Sequence, residues 1–100
     1  ESVYEMTSSL EIIDKLAQNK NYEKAFEQFK KFKTTWDKSE KIIELQIENE
    51  ELDNINGIIA EIEAYFEKGF YEDYFEASYR LKFYLNHLYE KNIVSLETVL

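Results

Sequence analysis

The chain has no cysteine and no proline, and only two glycines and one histidine in 100 residues. Each shortage excludes something. Without cysteine there is no disulfide, no thiol nucleophile and no thiolate metal site. Without proline, and with glycine confined to Gly57 and Gly69, few residues enforce turns, which favours long helices. The lone imidazole, His87, has Glu90 three residues on and so near it on a helix. No second histidine or cysteine completes a nucleophilic triad, and no Glu-x-x-His pair of the di-iron bundles exists. Glycine-rich phosphate loops are missing as well. The expectation is therefore no enzyme and no cofactor. Basic residues are also few, 12 against 21 acidic for a net charge of −9. That charge repels a phosphate backbone, so nucleic acid is not an expected partner. No apolar run approaches the roughly eighteen residues that span a bilayer.

What is present describes a globular helical protein. A hydrophobic content of 44% with 33% charged residues supports a single all-α domain over residues 1–100. The expected fold is an antiparallel bundle of about four helices, arranged as two helical hairpins, at about 2–18, 21–36, 38–68 and 71–91. An apolar tail follows at 92–100. One long central helix from Asp37 to Gly69 organises this reading. Ile42, Leu45, Leu52, Ile55, Ile59, Ile62 and Phe66 step by three, four or seven along it, as on one stripe of a 3.6-residue helix. Asp37 and Glu40 have capping-box spacing before it, and Gly69 can take the left-handed conformation that ends it. Such a helix would be about 45 Å long. Gly57, with Asn54 and Asn56 beside it, costs about 1 kcal/mol against alanine, so a bend or a close backbone approach is expected there.

The other segments have their own stripes. The first carries Val3, Met6, Leu10, Ile13 and Leu16 or Ala17, with Ser2–Glu5 and Ser8–Glu11 as alternative capping boxes. The second carries Tyr22, Ala25, Phe29, Phe32 and Trp36 behind Asn21 as N-cap, and a basic outer face. The fourth carries Tyr74, Ala77 or Ser78, Leu81, Leu85 and Leu88, with Asn92 as its C-cap. Its aliphatic tail is expected to fold back on the bundle. A faint internal echo accompanies the pattern. Tyr22, Glu23, Phe26, Glu27 and Lys33 recur 49 positions later as Tyr71, Glu72, Phe75, Glu76 and Lys82, as two similar hairpins, or equally chance among glutamate, lysine and aromatics, would produce.

Two groups of residues are candidate binding features. Aromatics make up 16% of the chain, more than a small core needs, and Tyr71, Phe75, Tyr79 and Phe83 run four apart as a candidate partner face. Glu48, Glu50, Glu51 and Asp53 form a candidate acidic patch that could attract a basic partner or a cation, although a helix spreads them around its girth and no calcium-loop geometry supports a dedicated metal site. The expected function is a non-catalytic protein-interaction module, through a protein partner or self-association. The alternative is a sensor of small ligands or cations.

The order of features also resembles a family. A short acidic helix, the Tyr22-to-Trp36 helix, a long Ile/Glu segment, Arg80-Leu81-Lys82 and a closing Ser95-Leu96-Glu97 are similar to a domain-of-unknown-function family of small helical proteins from endospore-forming Gram-positive bacteria. Its members typically carry one N-terminal membrane segment. The resemblance implies a membrane-anchored, extracytoplasmic domain, and the start at Glu1 rather than methionine fits sequence expected upstream. Thr98 stands where that family usually has asparagine. The family has no established functional residues to carry over.

Overall fold

The computed structural model describes residues 2–95. Four helices, α1 (Val3–Gln18), α2 (Tyr22–Ile43), α3 (Asn49–Lys68) and α4 (Tyr71–Glu90), share one hydrophobic core. Their short connections make chain neighbours antiparallel. Of the two capping boxes, Ser2 and Glu5 form the real one. The Ser2 hydroxyl accepts from the Glu5 N–H at 3.1 Å, and the Glu5 carboxylate accepts from the Ser2 N–H at 2.8 Å. The Ser2 backbone donor, then its hydroxyl, hold the Glu5 carboxyl below its usual range.

The 49-residue echo extends well beyond the residues that suggest it. Val3, Met6, Leu10, Ile13 and Ala17 on α1 are buried, and so are Leu52, Ile55, Ile59, Ile62 and Phe66, each 49 positions on in α3. Ala25, Phe29, Phe32, Trp36 and Ser39 on α2 correspond in the same way to the buried Tyr74, Ser78, Leu81, Leu85 and Leu88 on α4. The hairpin connections match too. Lys20 and Gly69 both take left-handed backbone, with φ of 61° and 76°, and Asn21 and Phe70 after them share φ −89° and ψ 66°. Even the inter-hairpin ion pairs correspond, Lys33–Glu63 at 2.9 Å and Lys82–Asp14 at 2.5 Å. The chain is two helical hairpins with matching buried positions, and Tyr22 and Tyr71 stack where the two meet, with ring centroids 3.6 Å apart.

The bundle differs from the sequence reading in where the second helix ends. No boundary falls near Trp36, and no single helix runs from Asp37 to Gly69. α2 continues through Asp37 because its stripe continues, Phe32, Trp36, Ser39 and Ile43 all being buried. The residues that suggested a break are accommodated inside the helix. The Thr34 hydroxyl donates to the Lys30 carbonyl at 3.1 Å and the Ser39 hydroxyl to the Thr35 carbonyl at 3.0 Å, local bonds that serine and threonine make readily. Glu40 caps nothing; its carboxylate accepts from the Asn56 amide at 2.9 Å. The turn comes at residues 44–48, after which α3 folds back so that the stripe of the second hairpin meets the first.

Gly57 neither bends α3 nor admits a close neighbour. It lies within the continuous helix Asn49–Lys68, and a Cβ placed on it would meet nothing within 4 Å. Gly57→Ala is therefore expected to raise stability by about 0.5–1 kcal/mol through helix propensity alone. Urea titration of the two proteins checks this, with the midpoint moving up at constant slope.

The tail folds back as expected as far as Ser95. Ile93 packs against the core and Ser95 is buried. Val94 is clasped by Gln46, whose Nε2 donates to the Val94 carbonyl at 2.6 Å while its Oε1 accepts from the Val94 N–H at 2.9 Å. The remainder of the expected tail, 96–100, lies outside the described residues. No helix among the described residues is long and apolar enough to cross a membrane.

Candidate functional site

The aromatic row on α4 does not form a single face. Residues four apart advance 400° on a helix, so a row of four drifts by about 120° from first to last. Tyr71 stacks on Tyr22, and Phe75 lies half-buried with its ring edge-on to Tyr74 at 5.3 Å. Tyr79 and Phe83 face solvent, 72% and 65% exposed. The first two are packing residues and the last two are surface.

The structure instead brings Phe83 to the acidic patch. Glu48, Glu50, Glu51, Asn54, Phe83, Tyr84 and His87 line one shallow groove between α3 and α4. Asp53, Asn54, Gly57, Glu61, Arg80 and Tyr84 line an adjoining hollow. Asn54 and Tyr84 belong to both, and the Asn54 amide donates to the Tyr84 hydroxyl at 3.1 Å, a bridge between the two. Gly57 leaves the second hollow wider than a side chain would.

Electrostatically the combined surface is acidic. Arg80 is engaged by the carboxylates of Glu76 at 2.7 Å and Glu61 at 3.1 Å. His87 Nδ1 lies 2.9 Å from Glu51 across the groove, so its carboxylate partner is on α3 rather than Glu90 on its own helix. Lys91 approaches the same carboxylate at 3.7 Å. Glu48, Glu50 and Asp53 remain exposed, with Glu50 in the first turn of α3 where the helix dipole favours it. Among the described residues no three histidines or carboxylates converge as a metal site would require.

A second polar constellation, absent from the sequence reading, lies between α1 and α4. Asp14, on α1, accepts from the Tyr74 hydroxyl at 2.5 Å, the Ser78 hydroxyl at 2.7 Å and the Lys82 ammonium at 2.5 Å, all on α4. Asp14, Tyr74 and Ser78 are buried, so three donors stand in for the water the carboxylate loses. The signal was available, since Asp14 stands between Leu10 and Ala17 on the core stripe of α1, and a carboxylate on a core stripe implies buried donors. Its role is to fix α1 against α4.

Burial first, then the Asp14 charge, pushes the Tyr74 phenol well above its usual range. A raised folded-state value means that the unfolded chain releases this proton first. The contribution to stability is whole below the ordinary tyrosine value and is lost as pH rises from there towards the raised one. In an alkaline titration followed by ring-carbon NMR, Tyr74 should stay un-ionised until the bundle unfolds. Ionisation of Tyr74 in the folded protein would contradict this.

Fold and site together define the class: an all-α bundle of two matched hairpins with an acidic, aromatic-edged groove. Within that class, the chain belongs to the family described as a domain of unknown function, DUF4363, whose profile matches residues 1–99. Searches of curated proteins and of solved structures found no match.

Proposed function

We propose that this domain is a non-catalytic protein-interaction module whose α3–α4 groove takes a basic segment carrying an apolar side chain. The observation that supports it is the placement of a largely exposed phenylalanine, Phe83, in one groove with Glu48, Glu50 and Glu51. An exposed aromatic ring is an anchor for association, and surrounding carboxylates select the charge of the partner and speed the encounter. Tethering to a membrane, in an extracytoplasmic setting, is part of the proposal and is supported by the family resemblance alone. The tether would be sequence outside the described helices.

The groove is tested with a lysine- and leucine-bearing helical peptide and its glutamate-for-lysine counterpart, titrated into labelled protein. The basic peptide should shift the amides around Phe83 and Glu51 saturably and lose affinity as salt rises. Phe83→Ala should weaken it at least about tenfold while leaving the fold intact, because the ring is exposed. Equal binding of both peptides, or undiminished binding to Phe83→Ala, would refute the groove reading. Recovery of the native protein wholly free of membranes would refute tethering.

A further inference from the structure

We infer that the connection between α2 and α3 is a hinge, and that this chain forms a dimer by exchanging hairpins with a second copy of itself. The α1–α2 and α3–α4 hairpins are joined covalently only through residues 44–48. Every contact between the hairpins, including the Lys33–Glu63 and Lys82–Asp14 pairs and the Tyr22–Tyr71 stack, can therefore be remade unchanged between two chains. If the hinge straightens, hairpin one of each copy packs on hairpin two of the other, and the closed contacts are all retained.

The hinge sequence favours straightening. Glu44, Leu45, Gln46, Ile47 and Glu48 include no glycine, proline or asparagine, and none has a positive φ. Glu44 still has helical backbone, at φ −62° and ψ −21°. Glu48 is extended, with ψ 149°, and its side chain caps nothing at the start of α3. Helix ends are ordinarily marked by a capping side chain or a left-handed residue; here Gln46 alone does so, its Nε2 donating to the Ile42 carbonyl at 3.0 Å, with no left-handed residue beside it and no side-chain cap on α3. The apolar spacing through Ile42, Leu45 and Leu52 reads as one helix for the same reason. The bend also exposes Leu45 to 84%, the most exposed large apolar side chain among the described residues. In two straightened chains crossing at their hinges, the two copies of Leu45 come near one another and can cover each other. Restraining the closed form is the Gln46–Val94 clasp, at 2.6 and 2.9 Å.

The absence of native cysteine makes a distance measurement direct. Lys24 and Lys68, both exposed, are replaced by cysteine and spin-labelled, and the labelled protein is diluted into excess unlabelled chain. The mixture is unfolded and refolded at high concentration, then separated by size with light scattering. In the closed form the two labels lie at the end of the bundle marked by the Tyr22–Tyr71 stack. In a straightened chain they lie about 65 Å apart, at about 1.5 Å per residue. The expected result is a dimer fraction showing the long intrachain distance. Asn49→Pro should suppress that fraction more than about 100-fold, since proline suits the first position of a helix and breaks a helix interior. The extended backbone of Glu48 already suits a following proline. A protein that remains monomeric, a dimer that keeps the short distance, or a dimer indifferent to Asn49→Pro would overturn the inference.

Discussion

Asp14→Ala is expected to destabilise the bundle by about 3–5 kcal/mol, because it removes the acceptor of three donors in the contact between α1 and α4. The Tyr74 and Ser78 hydroxyls are buried and lose their partner in place. The Lys82 side chain is partly exposed and can turn its ammonium towards water, which keeps the loss from being larger. Asp14→Asn preserves an acceptor without the charge and should cost less. Replacing the whole group, Asp14→Leu with Tyr74→Phe, Ser78→Ala and Lys82→Met, should recover most of the stability, since an apolar set leaves no group unpaired. Urea unfolding of the three variants measures this. If the fourfold replacement were as unstable as Asp14→Ala, the unpaired donors would not be the source of the loss.

Trp36→Ala is expected to cost about 3–5 kcal/mol, by emptying the largest side chain from the core. Trp36 is 1% exposed, and its indole N–H donates to the Asn56 side-chain carbonyl at 2.7 Å. The Asn56 amide in turn donates to Glu40 at 2.9 Å. This chain of bonds ties the middle of α2 to α3. Trp36→Phe keeps much of the ring and removes only the donor, so it should cost about 1–2 kcal/mol. Denaturant unfolding distinguishes the contributions, with equal losses in the two variants counting against a packing origin.

Trp36 and Asp14 differ in how much of their burial the local sequence declares. Trp36 lies on an apolar stripe with a spacing of four and three, and such spacing declares a buried helical residue without knowledge of neighbours. Asp14 lies on a stripe too, but the donors that make its burial tolerable are more than fifty residues away in the chain. The groove has the same character. Its acidic residues and Phe83 were each recognisable as surface features, and only the packing of α3 on α4 places them together. The division of the aromatic row between packing and surface follows from the drift of a four-residue spacing around a helix.

The amino-acid sequence by itself determined that the chain is all helical, that Ser2 offers a cap and Gly69 a stop, and most of the buried stripes, although Leu45, expected on one of them, is exposed. Capping, left-handed glycine and 3.6-residue periodicity act within a few residues, so they can be read from a short window. Only the tertiary structure decided where α2 ends, which donors Asp14 receives, and which aromatics remain exposed. Residues 44–48 carry no glycine, proline or left-handed residue to announce a stop, and the turn is placed there because burying the two stripes against each other contributes more than continuing one helix into water.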